Sequence, residues 1–141
     1  MNDEQIKKYR DEAKNYALRV VKGEELTSKY VRLECERFLD RLKKSNDGTF
    51  EYVFNYDKVD RINKILSQLI FPTGFKSGTP ILEGLFGFQH FILHNIFCWE
   101  HKETGYRLIE KVTLQIARKN GKVLPSYMET YNRNRVNSKK L

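Results

Sequence analysis

The apolar positions of this chain fall into four helical stripes, one short extended run and one alternating run. Ile6, Tyr9, Ala13, Tyr16, Ala17 and Val20 recur at three- and four-residue spacing, which predicts a single amphipathic helix ended by Gly23. Val31, Cys35, Phe38, Leu39 and Leu42 make a second stripe behind Thr27 or Ser28 as N-cap, so the first two helices are expected to pack as a pair. Residues 45–49 (SNDGT) read as a turn, and Phe50, Tyr52 and Phe54 alternate as an extended segment. Asp57 is the expected cap of a third helix, with Val59, Ile62, Ile65, Leu66, Leu69 and Ile70 inward and Pro72 closing it. The Gly- and Pro-rich residues 71–87 read as a connecting loop. From 88 to 100 the chain is apolar enough for a core helix, with Phe88, Phe91, Ile92, Ile96 and Trp99 on one face.

His90, His94 and Cys98 recur every four residues in that last helix, with His101 close to the same side. Imidazole and thiolate suit a transition metal, but no HExxH arrangement or second ligand cluster accompanies them. The row reads as the less buried flank of the helix. Cys35 and Cys98 lie within helical patterns and lack CxxC spacing, so both read as buried, reduced thiols.

The alternating run holds the most specific chemistry. Val112, Leu114 and Ile116 alternate with Thr113 and Gln115, then give way to Arg118, Lys119, Asn120, Gly121 and Lys122. A phosphate-binding loop needs free backbone N–H groups, a Gly close to the phosphates and a Lys that reaches the outer ones. Gly121 and Lys122 fit the last two needs, while Ile116 and Val123 stand where a first Gly and a Mg2+-binding Ser or Thr belong. Taken alone, Asn-Gly-Lys reads first as a solvated hairpin turn.

The chain of 141 residues is about one domain, and no apolar run of about eighteen residues could span a membrane. Its first ten residues are too charged for a secretory signal, so a soluble, intracellular protein is expected. The charge of +8 is uneven: residues 118–141 carry seven Lys and Arg against Glu129, a net of +6, which leaves +2 for the first 117. That basic end reads as a solvated, disordered tail, with a DNA-phosphate contact as the alternative.

IARKNGK at 116–122 resembles the variant phosphate loop of tailed-phage terminase large subunits. Two further blocks are similar to that family in the same order. The first is the helix from Tyr30 through Arg32, Cys35, Glu36, Arg37, Phe38 and Leu39 to Leu42. The second is Leu85, Phe86, Gly87, Phe88 and Gln89 with the apolar helix ending near Trp99, followed by a Gly105, Tyr106, Arg107 turn. The resemblance covers residues 16–122 and implies a mainly α chain, a helical N-terminal segment leading into the first strand and P-loop of an incomplete α/β P-loop ATPase.

Its implied division is 1–105 helical, with an adenine-contact region near 85–99, then strand and Walker A-like loop over 106–122, then the basic tail over 123–141. Phe88 and Gln89 would hold the adenine of ATP, where the residues alone suggest only a Gln opening a helix. Arg118, Lys119, Asn120, Gly121 and Lys122 would hold the phosphates, with Mg2+ in the intact family member. Implied partners are double-stranded DNA, the portal and the small terminase subunit, in the host-cell cytoplasm of a phage or prophage. Val123 has no oxygen for Mg2+, and no apolar strand ending in Asp-Glu occurs, nor any nuclease carboxylates. The resemblance therefore implies an N-terminal fragment of a DNA-packaging motor, without ATPase or nuclease activity by itself, and the departures after Lys122 suggest, as a hypothesis, a shift of reading frame near codon 122. A small basic nucleic-acid-binding module, or a helical adaptor docking on an intact terminase, is the alternative.

Overall fold

The computed structural model describes residues 1–115. The chain divides into two units, Met1–Glu110 and Lys111–Leu141, and the described residues of the second, 111–115, adopt neither helix nor strand. The first unit runs α1 (Asp3–Lys7), α2 (Glu12–Val21), α3 (Lys29–Asn46), β1 (Tyr52–Phe54), α4 (Tyr56–Gln68), α5 (Ile81–Gly84), α6 (Gly87–Phe97) and β2 (Trp99–His101). It is mainly helical, as expected, with one two-stranded antiparallel sheet.

The single first helix expected from the sequence is two helices. Asn2 and Gln5 cap α1 reciprocally, each side-chain oxygen accepting from the other's backbone N–H at 2.9 Å. The chain then turns through residues 8–11 and restarts as α2. With that break, Tyr9 lies flat against His90 at 5.3 Å while Ala13, Tyr16, Ala17 and Val20 are buried. Gly23 ends α2 as expected, at φ 81, with the Gly23 N–H on the Val20 carbonyl and the Glu24 N–H on that of Arg19. Gly48 repeats this device after α3, at φ 76.

Ser28 caps α3 through the Val31 N–H, and α2 and α3 pack as the expected pair. Asn55, rather than Asp57, caps α4: its Oδ1 accepts from the Asp57 N–H at 2.9 Å, and Asp57 adds a negative charge in the first turn. The helix stops at Gln68, so Leu69 and Ile70 are exposed instead of inward. Their backbone is taken up by a hairpin, through an Ile70↔Pro80 bridge and the Ile81 N–H on the Leu69 carbonyl at 2.8 Å. The expected loop over 71–87 is thus this hairpin followed by α5.

The last helix ends at Phe97, and Trp99 belongs to β2, where it pairs with Phe54 while Glu100 pairs with Val53 and His101 with Tyr52. The Asn55 N–H on the Cys98 carbonyl (2.8 Å) and the Lys102 N–H on the Glu51 carbonyl (3.0 Å) continue the pairing at both ends. Of the predicted strand and Walker A-like loop at 106–122, residues 106–115 show one bridge, Glu100↔Arg107, and no strand; 116–122 lie outside the described residues.

Phe38 of α3 sits at the centre of the core. Its ring meets Phe54, Phe91 and Trp99 edge to face at 5.3, 5.3 and 5.8 Å, joining α3 to both strands and to α6. A polar chain runs beside it: the Trp99 indole donates to Asn95 Oδ1 at 3.1 Å, and Asn95 Nδ2 donates to Glu34 at 3.2 Å. Glu100 fastens β2 to the start of α4, accepting from Asn55 Nδ2 at 2.6 Å and pairing with Lys58 at 2.7 Å. Burial pushes its pKa up, but those two partners outweigh burial and hold the carboxyl below its usual value. Glu100→Ala leaves both partners unmatched and is expected to lower stability by about 1–3 kcal/mol in urea unfolding at pH 7. A loss under half of that would show the pins to be redundant.

Candidate functional site

The expected base-contact pair lies at the start of α6. Phe86 is the N-cap residue in an extended conformation, and its side chain offers no acceptor to the helix. Gln89, three residues on, supplies half a capping box by reaching back, its Oε1 accepting the Phe86 N–H at 2.9 Å. The amide is held inside, with Gln89 only 6% exposed. Phe88 is half-buried, its ring parallel to that of Phe86 at 6.1 Å and 8°. The Lys76 ammonium lies 4.0 Å from the Phe86 ring centre and also donates to the Gly84 carbonyl.

Gly87 lies against α2. A Cβ there would meet Arg19 Nη2 at 2.8 Å and Glu12 Oε1 at 3.3 Å, so glycine is what lets this ion pair pack against the helix start. Arg19 is held by Glu12 at 3.0 Å and by Glu25 at 3.3 Å.

Phe88 and Gln89 are therefore together, on one helix start, with the amide engaged as a cap. Arg118, Lys119, Asn120, Gly121 and Lys122 lie outside the described residues, as do Val123 and the basic tail over 123–141.

The histidine row is a correction to the sequence reading. It was expected on the less buried flank of the helix, yet His90 and His94 are among the most buried side chains in the protein. Helix α6 is enclosed on this side too: Tyr9 stacks on His90, and Asn63 of α4 meets His94, with Asn63 Oδ1 2.9 Å from His94 Nε2. Asn63 Nδ2 and His94 Nδ1 have no hydrogen-bond partner among the described residues, and the ring nitrogens of His90 make no well-directed bond there, although the Leu82 main chain lies close enough to favour the charged ring. Burial lowers the pKa of His90 to about 4, partly opposed by Glu12 and the Leu82 main chain, and that of His94 to about 3, with His90 adding to the effect. Both rings are neutral at pH 7.

The two cysteines are free and buried, as the sequence implied. Burial raises the thiol of Cys35 to about 12 and that of Cys98 further, so neither is a thiolate nucleophile. Among the described residues no group of three or more His, Cys, Asp or Glu side chains could hold a metal ion, and no helix is long and apolar enough to cross a membrane.

Sequence reasoning missed Lys76, which stood in what read as a loop. It also missed Asn63, whose only signal was a polar residue beside Ile62 on the inward stripe. No protein-family model, no curated protein and no solved structure matches the chain.

Proposed function

We propose that the chain carries the N-terminal part of a tailed-phage terminase large subunit, the ATP-driven motor that packages double-stranded DNA, working in the host cytoplasm. The observation that carries this reading is the order of three separated sequence blocks: the helix around Phe38, the Leu85 to Gln89 segment with its helix, and Ala-Arg-Lys-Asn-Gly-Lys. The first two blocks also share one core. Phe38 touches Phe91 at 5.3 Å, and Glu34 accepts from Asn95 at 3.2 Å, so the helix of one block supports the helix start that bears Phe88 and Gln89 in the other.

In this reading Gln89 reads the adenine edge and Phe88 packs beside it. Lys122 contacts the outer phosphates, and the 118–121 backbone surrounds them, with Arg118 adding charge near the terminal phosphate. Val123 offers no oxygen for Mg2+, so binding is weak and metal-independent, and hydrolysis fails.

The test is a titration with a fluorescent ATP analogue with and without Mg2+. The native chain is expected to bind weakly and equally in both conditions, and Lys122→Ala to lose about tenfold or more, as for a charge-assisted phosphate contact. Val123→Thr should bind more tightly when Mg2+ is present. Binding indifferent to Lys122, or turnover by the native chain at motor rates, would overturn the proposal.

A further inference from the structure

We propose that residues 1–10 are an acid-released cover on the core, with the stack of Tyr9 on His90 as its latch. The segment is lightly held. Helix α1 has no buried residue and packs on α4, while Asn2 and Gln5 close its first turn without help from the core. Arg10 lies over the Tyr56 ring at 5.1 Å and pairs with Asp60 at 3.7 Å, but the two charged side chains are 43% and 44% exposed, so this tie is weak. The joint to α2 is weak as well. Asp11 gives no side-chain cap, and the Glu12 N–H reaches the Tyr9 carbonyl only at 3.3 Å. The remaining hold is Tyr9, whose ring lies 5.3 Å from that of His90 at 19°. Tyr9 is half-buried where His90 is 1% exposed, so the Tyr9 ring is the layer between this imidazole and water.

A closed cover keeps His90 neutral, because burial outweighs the groups that face it. From α2, Glu12 favours the charged ring, but that carboxylate is already 3.0 Å from Arg19. From α5, the Leu82 main chain favours it too, while Glu83 acts on Tyr9 and, with burial and Glu12, keeps the Tyr9 hydroxyl protonated. His94, held against Asn63 of α4, is a second buried ring that disfavours a charge beside it. Once the cover swings out about Asp11, His90 meets water and titrates near its ordinary value of about 6.5. The open form thus binds a proton that the closed form refuses. Opening is indifferent to pH above about 6.5 and grows as pH falls below it. Releasing ten surface residues disrupts less than unfolding the core does, so the cover opens first.

Histidine NMR of the full-length chain between pH 8 and 4, with circular dichroism alongside, tests this. In the native chain His90 is expected to charge before His94 does and before the helical signal falls. Arg10→Ala and Asp60→Asn cut the same exposed tie from its two ends. Each should raise the proton affinity of His90 about threefold, or about half a pH unit, the worth of one surface ion pair, and leave His94 unmoved. Removing a positive and a negative charge would move His90 in opposite directions if the effect were only electrostatic; a shift of both upward is the mark of a loosened cover. Tyr9→Ala, which removes the latch, should bring His90 close to its ordinary titration. If His90 and His94 charge together as the helices melt, there is no separate cover. If Arg10→Ala and Asp60→Asn leave His90 unmoved or shift it in opposite directions, the proposal is likewise overturned, whatever Tyr9→Ala does.

Discussion

Replacing Phe38 by alanine is expected to unfold the helical unit at 37 °C. Phe38 is fully buried and touches three other aromatic rings, from β1, α6 and β2. Truncating a buried Phe costs about 3–5 kcal/mol through lost transfer energy and the cavity left behind. Each edge-to-face partner adds about 0.5–1.5 kcal/mol beyond its buried area. Two of those partners, Phe54 and Trp99, face each other across the two three-residue strands, so the cavity opens at the sheet as well as at α6. A unit of 110 residues has a total stability of about 5–15 kcal/mol, so the loss consumes much or all of it. At about 4–8 °C per kcal/mol, the midpoint of a far-UV circular dichroism melt should fall by about 20 °C or more. Leu33→Ala, on the exposed face of the same helix, should stay within about 0.5 kcal/mol of the native chain. A Phe38→Ala midpoint within about 5 °C of native would mean that the aromatic cluster does not organise the fold.

The helices that were legible in the sequence are those with one wet face. In α3 and α4 the buried Cys35, Phe38, Val59, Ile62 and Leu66 alternate with exposed charged residues, so period and burial agree. Helix α6 has no such contrast. Gln89, His90, Phe91, Leu93, His94, Asn95, Ile96 and Phe97 are all buried, so periodicity could set neither its end nor the environment of its polar residues. An apolar stripe of Phe88, Phe91, Ile92, Ile96 and Trp99 leaves the histidines on the less buried flank and carries the helix to residue 100, whereas Trp99 faces the same core from a strand. The break between α1 and α2 carries neither Gly nor Pro, and the Tyr9 contact that goes with it is with a residue eighty-one positions away. Such tertiary causes leave no local mark.

At the candidate site, Phe88 and Gln89 are singled out by the resemblance alone, and the residues by themselves suggest only the Gln that opens a helix, which does not say what holds them. That Gln89 caps α6 follows from Phe86 having no side-chain acceptor, a need that can be read from the sequence once the helix start is known. Lys76 could not be found that way. Its partners, the Gly84 carbonyl and the Phe86 ring, meet it through a hairpin whose bridge between Ile70 and Pro80 has no hydrophobic alternation to announce it.

Acid is expected to destabilise this unit from about pH 6.5 downward, through its two buried histidines. His90 and His94 have their pKa values lowered to about 4 and about 3, against about 6.5 in the unfolded chain. The stability that neutral burial secures is therefore complete above pH 6.5 and is lost as pH falls below it, because the unfolded chain takes up protons that the folded one refuses. Each histidine contributes a slope of about 1.4 kcal/mol per pH unit, so the pair removes about 4 kcal/mol between pH 7.5 and 5. The groups that face them do not prevent this. Glu12 of α2 favours the charged form of His90 without outweighing burial, Tyr9 of the turn between α1 and α2 presents its ring, and Asn63 of α4 already meets His94. Only at lower pH does the carboxylate of Glu100, whose pKa is also depressed, lose its support for the fold. Urea unfolding at pH 7.5, 6.5, 5.5 and 5.0 reads the slope directly. His90→Phe keeps an aromatic ring against Tyr9 and removes one proton site, so it is expected to halve the pH dependence whatever it does to stability at pH 7.5. A native chain whose stability is flat over this range, or a variant with the native slope, would place the protonation elsewhere.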